Sequence, residues 1–348
     1  MAVIDWVKFR LPMMAARECA LDGGMLAMLD CDGTVEWSRP RDMQMEGSYS
    51  SKLMVRTVGD YLQIDGNPVK WWQGHNLFGT DDLRGLVVAT ASAVCRKLDL
   101  PVRSVELAGW QMGWIPLLRV DCTRMYEFPS RSDVLATLRA AALNARSRHG
   151  TATCRGDTVY WGQHSRSWAL KAYSKGQELG SRSRKHQLPE GLPHRERLEE
   201  YADSMLRVEL VLRKREIERR GLYLAAAWEG DTAMEQLRLA MEGLQVSDRF
   251  ELPSTLLAKL PGRLVSVYRA WQAGDDLRAL YSNGTFYNYR RALLEHGIDI
   301  TVVQPAQAAP ANVVPFTRLV EVRAAEVPEW AKGTSLYFEP AEYLGVAS

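Results

Sequence analysis

Short stretches in which hydrophobic and polar residues alternate recur along the chain, and such alternation is typical of strands with one buried face. Two of them flank Gly59 and Asp60, a turn sequence that predicts a hairpin. Strands are predicted at residues 35–37, 53–56, 61–64, 115–123, 158–161, 168–173 and 206–212. Segments this numerous predict a sheet.

Apolar residues at helical spacing begin at two points within this strand-rich part, near Thr80 and near Ser132, and each start carries residues suited to cap a helix. From Thr232 onward the chain is mostly helical in pattern. Turns or loops are predicted at residues 66–68, 180–194 and 304–311. Strands interspersed with helices predict an α+β fold, divided into a domain at residues 1–225 and a mostly helical domain at residues 226–348.

Three of the predicted strands carry ionisable side chains two residues apart, so that each pair shares one face of the sheet. The pairs are Arg119 and Asp121, Lys171 and Tyr173, and Arg207 and Glu209, and Lys175 joins the second pair if its strand continues. If the three strands are neighbours, two carboxylates, a tyrosine and lysines converge on one face. Two carboxylates suit a hard divalent cation. The alternative is an internal network of ion pairs.

The net charge of the whole chain is +2, yet the charge is unevenly distributed. Residues 139–185 hold ten basic and two acidic residues, a local charge of +8, which leaves −6 for the rest. Tyr160, Trp161, Trp168 and Tyr173 lie within this segment. Basic groups neutralise phosphates and aromatic rings stack on unpaired bases, so the segment favours single-stranded nucleic acid as a ligand. A solvated basic face is the alternative.

The remaining composition narrows the class of protein. Hydrophobic residues at 46% and charged residues at 25% are typical of globular proteins. Five cysteines are scattered without a C-x-x-C pair, which favours a reducing cytosol over a disulfide framework. The charged first residues do not resemble a signal peptide, and the apolar run at residues 85–95 is too short to span a bilayer.

Several motifs together resemble a known family. The segment GNPVKWWQGHNLFGT at residues 66–80 resembles the N-P-x-K-x-x-Q-G-H-N-x-F-G motif of filamentous-phage replication initiators, the gene II/X family. Further blocks of that family agree in order: RVDCT at 119–123, AYSK at 172–175, LRVEL at 206–210, and NVVPFTR at 312–318 followed by PEW at 328–330. The blocks cover most of the chain and are also similar in order to plasmid rolling-circle initiators.

The resemblance implies a rolling-circle initiator with an antiparallel sheet and flanking helices, followed by a mostly helical C-terminal domain. Such proteins nick one strand of the double-stranded replicative DNA at the origin and stay joined to the 5′-phosphate through a tyrosine. They later rejoin the displaced single strand into a circle. The implied partners are origin DNA, a host helicase and host DNA polymerase in the bacterial cytoplasm, with no membrane.

The resemblance also implies roles for particular residues. The nucleophile would be Tyr173, with Lys175 beside it, and Mg²⁺ or Mn²⁺ would bind Asp121 and Glu209, with Glu178 as a third ligand. The superfamily's His-hydrophobe-His metal pair is missing from this sequence. DNA contacts are expected from Gln73, His75, Asn76, Arg119, Arg166, Lys171, Arg207, Arg290 and Arg291. For His75 a metal-ligand role and a structural role remain open.

A second hypothesis concerns residues 275–296, which read as a helix, a turn at residues 281–284 and a second helix capped by Thr285. Tyr287, Asn288, Arg290 and Arg291 would make that second helix suitable for reading the major groove. A plain packed helix pair is the alternative. For the whole chain, two further functions stay open: a DNA-binding replication regulator without catalysis, and a plasmid rolling-circle initiator or relaxase.

Overall fold

The computed structural model describes most of the chain. The described residues are 3–17, 24–144, 146–147, 150–155, 158–181, 183, 186–242, 245–247, 257, 260–273, 275–296, 298, 300–301, 313–315 and 324–341. The predicted loop at residues 304–311 and the NVVPF part of the C-terminal block lie largely outside them.

One large sheet dominates the fold. The strands are β1 (Val3–Pro12), β2 (Met25–Leu29), β3 (Val35–Pro40), β4 (Met43–Glu46), β5 (Lys52–Val58), β6 (Tyr61–Gly66), β7 (Leu117–Glu127), β8 (Arg146–Ser147), β9 (Gly150–Thr151), β10 (Thr153–Arg155), β11 (Thr158–Trp161), β12 (Trp168–Ser174), β13 (Met205–Arg213), β14 (Gln245–Ser247) and β15 (Val313–Pro315). The large sheet has the order β10-β11-β12-β13-β7-β1-β6-β5-β4, and its paired neighbours run antiparallel. Smaller sheets join β2 to β3 and connect β15, β14, β8 and β9.

The helices flank this sheet or follow it. They are α1 (Pro68–Gln73), α2 (Leu83–Lys97), α3 (Ser104–Gln111), α4 (Arg131–Asn144), α5 (Lys175–Leu179), α6 (Arg195–Asp203), α7 (Lys214–Arg219), α8 (Thr232–Glu242), α9 (Gly262–Ala273), α10 (Leu277–Leu280) and α11 (Asn283–Leu294). The α+β class and the antiparallel sheet with flanking helices are confirmed. No helix in the described parts of the chain has the length and apolar character needed to cross a membrane.

Alternation along the strands separates an apolar face from a polar one. Leu206, Val208, Leu210 and Leu212 of β13 are fully buried on one face. That face packs against α4, α7 and α8, and forms the main core with the apolar residues of the neighbouring strands. The ionisable residues of the same strands therefore lie on the opposite face, where the candidate site is found.

Each strand that the sequence patterns predict is present, but the patterns missed one central strand. β1 lies between β7 and β6, and its residues were read only as evidence against a signal peptide. The predicted turn at residues 66–68 is instead the end of β6 and the start of α1, which Asn67 caps by accepting a hydrogen bond from the Lys70 amide at 2.7 Å. The helix predicted near Thr80 begins at Leu83, capped by Asp82.

The predicted domain boundary between residues 225 and 226 does not coincide with a change in packing. Ala233, Leu237 and Met241 of α8 belong to the main core of the sheet domain. Residues 324–340, here called the C-terminal segment, also return to that domain. A separate apolar cluster is formed by α9, α10 and α11 with residues up to Ile300. Packing therefore confines the separate helical unit to about residues 257–300.

The C-terminal segment supports the loop that follows α1. Gly74 ends α1 with a φ of +83°, a conformation that suits glycine, and turns the chain into residues 75–78. The amide of Gln73 donates to the Phe78 carbonyl at 2.7 Å, and its oxygen accepts from the Phe338 amide at 2.9 Å. The Phe338 ring stacks on Trp72 with centroids 4.5 Å apart. The C-terminal segment thus fixes a loop far away in sequence.

His75 in this loop is buried, with 1% of its surface exposed. Its Nδ1 accepts a hydrogen bond from the Leu77 amide at 3.3 Å. Burial lowers the pKa of His75 to about 3, so the side chain is neutral in the folded protein. The direct DNA contact expected of His75 is therefore incompatible with its position, and its role in this structure is to hold the loop.

The low pKa of His75 predicts how stability depends on pH. The unfolded chain takes up a proton near pH 6.5, whereas the folded chain does so only near pH 3. His75 therefore stabilises the fold above pH 6.5, and this contribution is lost as the pH falls, by at most about 1.4 kcal/mol per unit. We expect urea unfolding between pH 7 and 4.5 to give a shallower pH slope for His75→Asn than for the wild type. His164→Asn, at an exposed histidine, should leave the slope unchanged; equal slopes for all three proteins would contradict the prediction.

Candidate active site

The strands that carry the three ionisable pairs are neighbours, as the sequence hypothesis required. β12 lies beside β13, and β13 lies beside β7. Lys171 lies opposite Glu209 and Tyr173 lies opposite Arg207 across the first pair of strands. Glu209 lies opposite Thr123, two residues from Asp121 on the same face of β7. The predicted side chains therefore converge on one face of the sheet.

Glu209 is the centre of this arrangement, with 1% of its surface exposed. It accepts a hydrogen bond from the hydroxyl of Tyr173 and one from Nε of Arg207 at 2.8 Å. The ammonium of Lys171 forms an ion pair with its other oxygen. One carboxylate thus links the candidate nucleophile to two cations.

Asp5 of β1 is a member of the network that the sequence patterns missed. Its carboxylate pairs with Arg207 at 3.0 Å and accepts hydrogen bonds from the amides of Asn67 at 2.5 Å and Asn76 at 3.0 Å. The signal was present, since residues 3–12 include an acid and two bases within an apolar strand pattern. Asp5 shares the charge of Arg207 with Glu209 and joins the loop after α1 to the sheet.

Lys175 follows directly after β12 and is buried at the first position of α5, whose start is capped by Ser174. Its ammonium donates to the Asn76 oxygen at 3.1 Å and to Glu178 at 2.5 Å. Burial lowers the pKa of Lys175, although Glu178 opposes that effect. Glu178 also contacts Nδ1 of His186 at 3.2 Å. The lysine therefore lies beside the tyrosine, as the hypothesis required.

Asp121 lies at the edge of the network with its own partner. Arg119 donates to both of its oxygens, at 2.7 and 2.6 Å, and the guanidinium lies over the Trp6 ring at 5.1 Å from its centroid. Burial raises the pKa of Asp121 to about 6, against the lowering effect of Arg119. The nearby charge of Glu209 adds to the increase, so the two carboxylates interact.

The environment keeps the hydroxyl of Tyr173 protonated. Burial, followed by the charge of Glu209, raises the pKa of Tyr173 well above its ordinary value. Burial alone would also raise the pKa of Glu209, but Lys171 and Arg207 outweigh it and hold that pKa well below its usual range. The resting site therefore pairs a neutral phenol donor with an ionised carboxylate acceptor, an arrangement able to guide a proton from oxygen to oxygen.

The donor set fits a divalent cation only in part. Mg²⁺ in phosphoryl-transfer sites commonly uses one or two carboxylates and completes its shell with water and phosphate oxygens. Asp121 and Glu209 share a face and fit that mode. The described residues hold no group of three or more histidine, cysteine or acidic side chains able to hold one ion. Glu178, paired with Lys175 and His186, therefore does not complete a three-carboxylate site, and this part of the expectation was wrong.

The residues expected to contact DNA fall into three groups. Gln73, His75 and Arg207 are almost wholly buried and are corrected to internal supports, because their polar groups bond within the protein. Partly exposed residues are Asn76, Arg119, Lys171 and Arg290, and of these Asn76 bonds to Asp5 and Lys175. Fully exposed are Arg166, in the turn between β11 and β12, and Arg291.

The predicted helix-turn-helix has a different shape in the structure. The first helix, α10, is only four residues long, and the second, α11, begins at Asn283. Its start is capped by Ser282, whose hydroxyl accepts from the Thr285 amide at 3.4 Å, so Thr285 is not the cap. Tyr287, Asn288 and Arg291 are exposed on α11.

Comparisons with known proteins identify the family. Models for the N-terminal and C-terminal parts of the replication-associated protein of phage gene II match residues 3–231 and 262–337. A curated relative, the replication-associated protein of the same gene from Enterobacteria phage I2-2, is 34% identical over 94% of this chain and 95% of its own length. A solved rolling circle replication initiator protein from Geobacillus stearothermophilus matches 73% of this chain and 89% of that chain, with 12% identity and a TM-score of 0.33. Because one family model covers well over half of the chain and a relative aligns along nearly its whole length, the chain belongs to the gene II replication-associated protein family.

Proposed function

We propose that this protein initiates rolling-circle replication by nicking one strand of origin DNA with Tyr173 and later rejoining it. Membership of the replication-associated protein family supports the replication role. The observation that carries the chemistry is the hydrogen bond from the Tyr173 hydroxyl to Glu209, among the cations Lys171, Lys175 and Arg207. A tyrosine that only packs in the core would need no such set of ionised neighbours.

The reaction is a transesterification. The Tyr173 oxygen attacks the phosphorus, its proton passes to Glu209, and the bond from phosphorus to the 3′-oxygen breaks. The products are a 5′-phosphotyrosine and a free 3′-hydroxyl. Because the ester bond is conserved, the same hydroxyl can attack it later and close the displaced strand into a circle. The free 3′-hydroxyl would serve host DNA polymerase as a primer after a host helicase separates the strands in the bacterial cytoplasm.

Cations on this face would bind the reacting phosphate. Lys171 lines the cleft beside Tyr173 and is 27% exposed in its side chain, and it is held close to the hydroxyl by Glu209. Lys175 is fixed on the other side by Asn76 and Glu178. Asp121 and Glu209 would hold Mg²⁺ or Mn²⁺, which supplies Lewis-acid polarisation of the phosphodiester when bound.

A second function, recognition of the origin duplex, is favoured by α11. Tyr287, Asn288 and Arg291 form an exposed set on this helix, at spacings that place them on one side. Such a helix face can read bases in the major groove. A catalytically inactive regulator would need this surface alone, whereas the ionised set around Tyr173 favours the enzyme.

Removal of the Tyr173 hydroxyl tests the proposed chemistry. We expect Tyr173→Phe to abolish both nicking of supercoiled phage DNA and covalent attachment, because the attacking oxygen is gone, while DNA binding persists. Tyr126→Phe is the matched control, since this buried tyrosine points its hydroxyl at Met241 in the core. A covalent adduct formed by Tyr173→Phe would refute the assignment of the nucleophile.

The proposed cation ligands give a second test. Asp121→Asn should weaken Mn²⁺ binding by about 10- to 100-fold and reduce metal-dependent nicking, because the amide lacks the charge of the carboxylate. Mn²⁺ binding is measured by electron paramagnetic resonance, independently of activity. Glu218→Gln, at an exposed ion pair with Lys214, is the control. Unchanged Mn²⁺ binding by Asp121→Asn would remove Asp121 from the ligand set.

Origin recognition by α11 is tested with the full chain. Arg291→Ala should weaken binding to the phage origin duplex by about 5- to 150-fold, the range for loss of a specific base contact, with a smaller effect on random duplex. Arg269→Ala is the matched control, because Arg269 is an exposed arginine on α9. Equal losses on origin and random DNA, measured at one salt concentration, would indicate phosphate binding instead of base reading.

A further inference from the structure

A cleft of about 640 Å³ opens beside Tyr173. One side is formed by β11 and β12, and the other by α5 with the residues that follow it. Its volume is within the range of pockets that bind small ligands. Because Tyr173 lies in its wall, whatever occupies the cleft is next to the reacting oxygen.

Tyr160 provides an aromatic surface in this cleft. It lies opposite Lys171 across β11 and β12, so its side chain is on the same face as Lys171 and Tyr173. The next residue, Trp161, points to the other face and is fully buried in the main core. Tyr160 is half-buried and lines the cleft.

The chemistry of the polar face changes at the cleft. Toward β13 and β7 it consists of ion pairs, whereas Thr158, Gln177 and Ser181 line the cleft with neutral hydroxyl and amide groups. The acid in the wall, Glu178, is paired with Lys175. Neutral hydrogen-bonding groups with one aromatic ring suit a nucleobase and its sugar, and the adjoining ammonium of Lys171 suits a phosphate.

We infer that this cleft binds one unpaired deoxynucleotide adjacent to the phosphate that Tyr173 attacks, with its base stacked on Tyr160. The inference rests on the proposed function, because it takes the attacked phosphate to lie at Tyr173. Base pairs inside a duplex have both faces covered by their neighbours, so stacking on Tyr160 requires a base that has left the duplex. The strand must therefore be locally separated before it is cut.

The test measures binding without cleavage. Tyr160→Ala and Tyr160→Phe are each made in the Tyr173→Phe protein and titrated against a short single-stranded thymidine oligonucleotide that contains one 2-aminopurine. Stacking on an aromatic ring quenches 2-aminopurine fluorescence. We expect Tyr160→Ala to bind about 5- to 150-fold more weakly and to lose the quenching, whereas Tyr160→Phe retains both.

Tyr223→Ala is the control, because Tyr223 is an exposed tyrosine outside the cleft, and it should behave like the parent protein. If Tyr160→Ala binds and quenches as Tyr160→Phe does, the inference is overturned, whatever the nicking assays give. If Tyr173→Phe still forms a covalent adduct, the proposed nucleophile fails, yet the quenching still tests the cleft because no cleavage enters it.

Discussion

The guanidinium of Arg207 is fully buried in the middle of the polar face, and breaking such a buried ion pair costs about 3–5 kcal/mol. Its partners are Glu209 beside it on β13, Asp5 on β1, and the Asn76 carbonyl in the loop after α1. These groups meet only when β1 lies in the centre of the sheet and the loop closes over its polar face. The pairing that compensates the buried charge therefore also fixes Glu209 against the Tyr173 hydroxyl.

The two faces of the sheet divide the work of stability and chemistry. The apolar face buries leucines and valines against α4, α7 and α8 and supplies the hydrophobic stabilisation. The opposite face holds acids and bases in mutual pairs, which leaves Tyr173 a neutral phenol at rest. A phosphate entering beside Lys171 would change that balance of charge. The C-terminal segment contributes at a distance, because Phe338 and Gln73 hold the loop that presents Asn76 to Lys175.

Alternation in the sequence was sufficient to predict most strands and to group Asp121, Lys171, Tyr173 and Glu209 on one face, because side-chain direction follows local spacing. Strand order is not local, so the central place of β1 and the role of Asp5 were missed. The residue types of the loop after α1 indicated a polar role but not whether it faced DNA or the interior. The return of residues 324–340 depends on contacts between positions as far apart as Gln73 and Phe338, which no local pattern encodes.

The central claim is that the network around Glu209 makes Tyr173 the residue that becomes joined to DNA. The most direct measurement is tandem mass spectrometry of the wild-type protein after reaction with supercoiled phage DNA and Mg²⁺, followed by nuclease and protease digestion. The account predicts a nucleotide mass on the peptide that contains Tyr173. A nucleotide on any other residue of a nicking-competent preparation would contradict it.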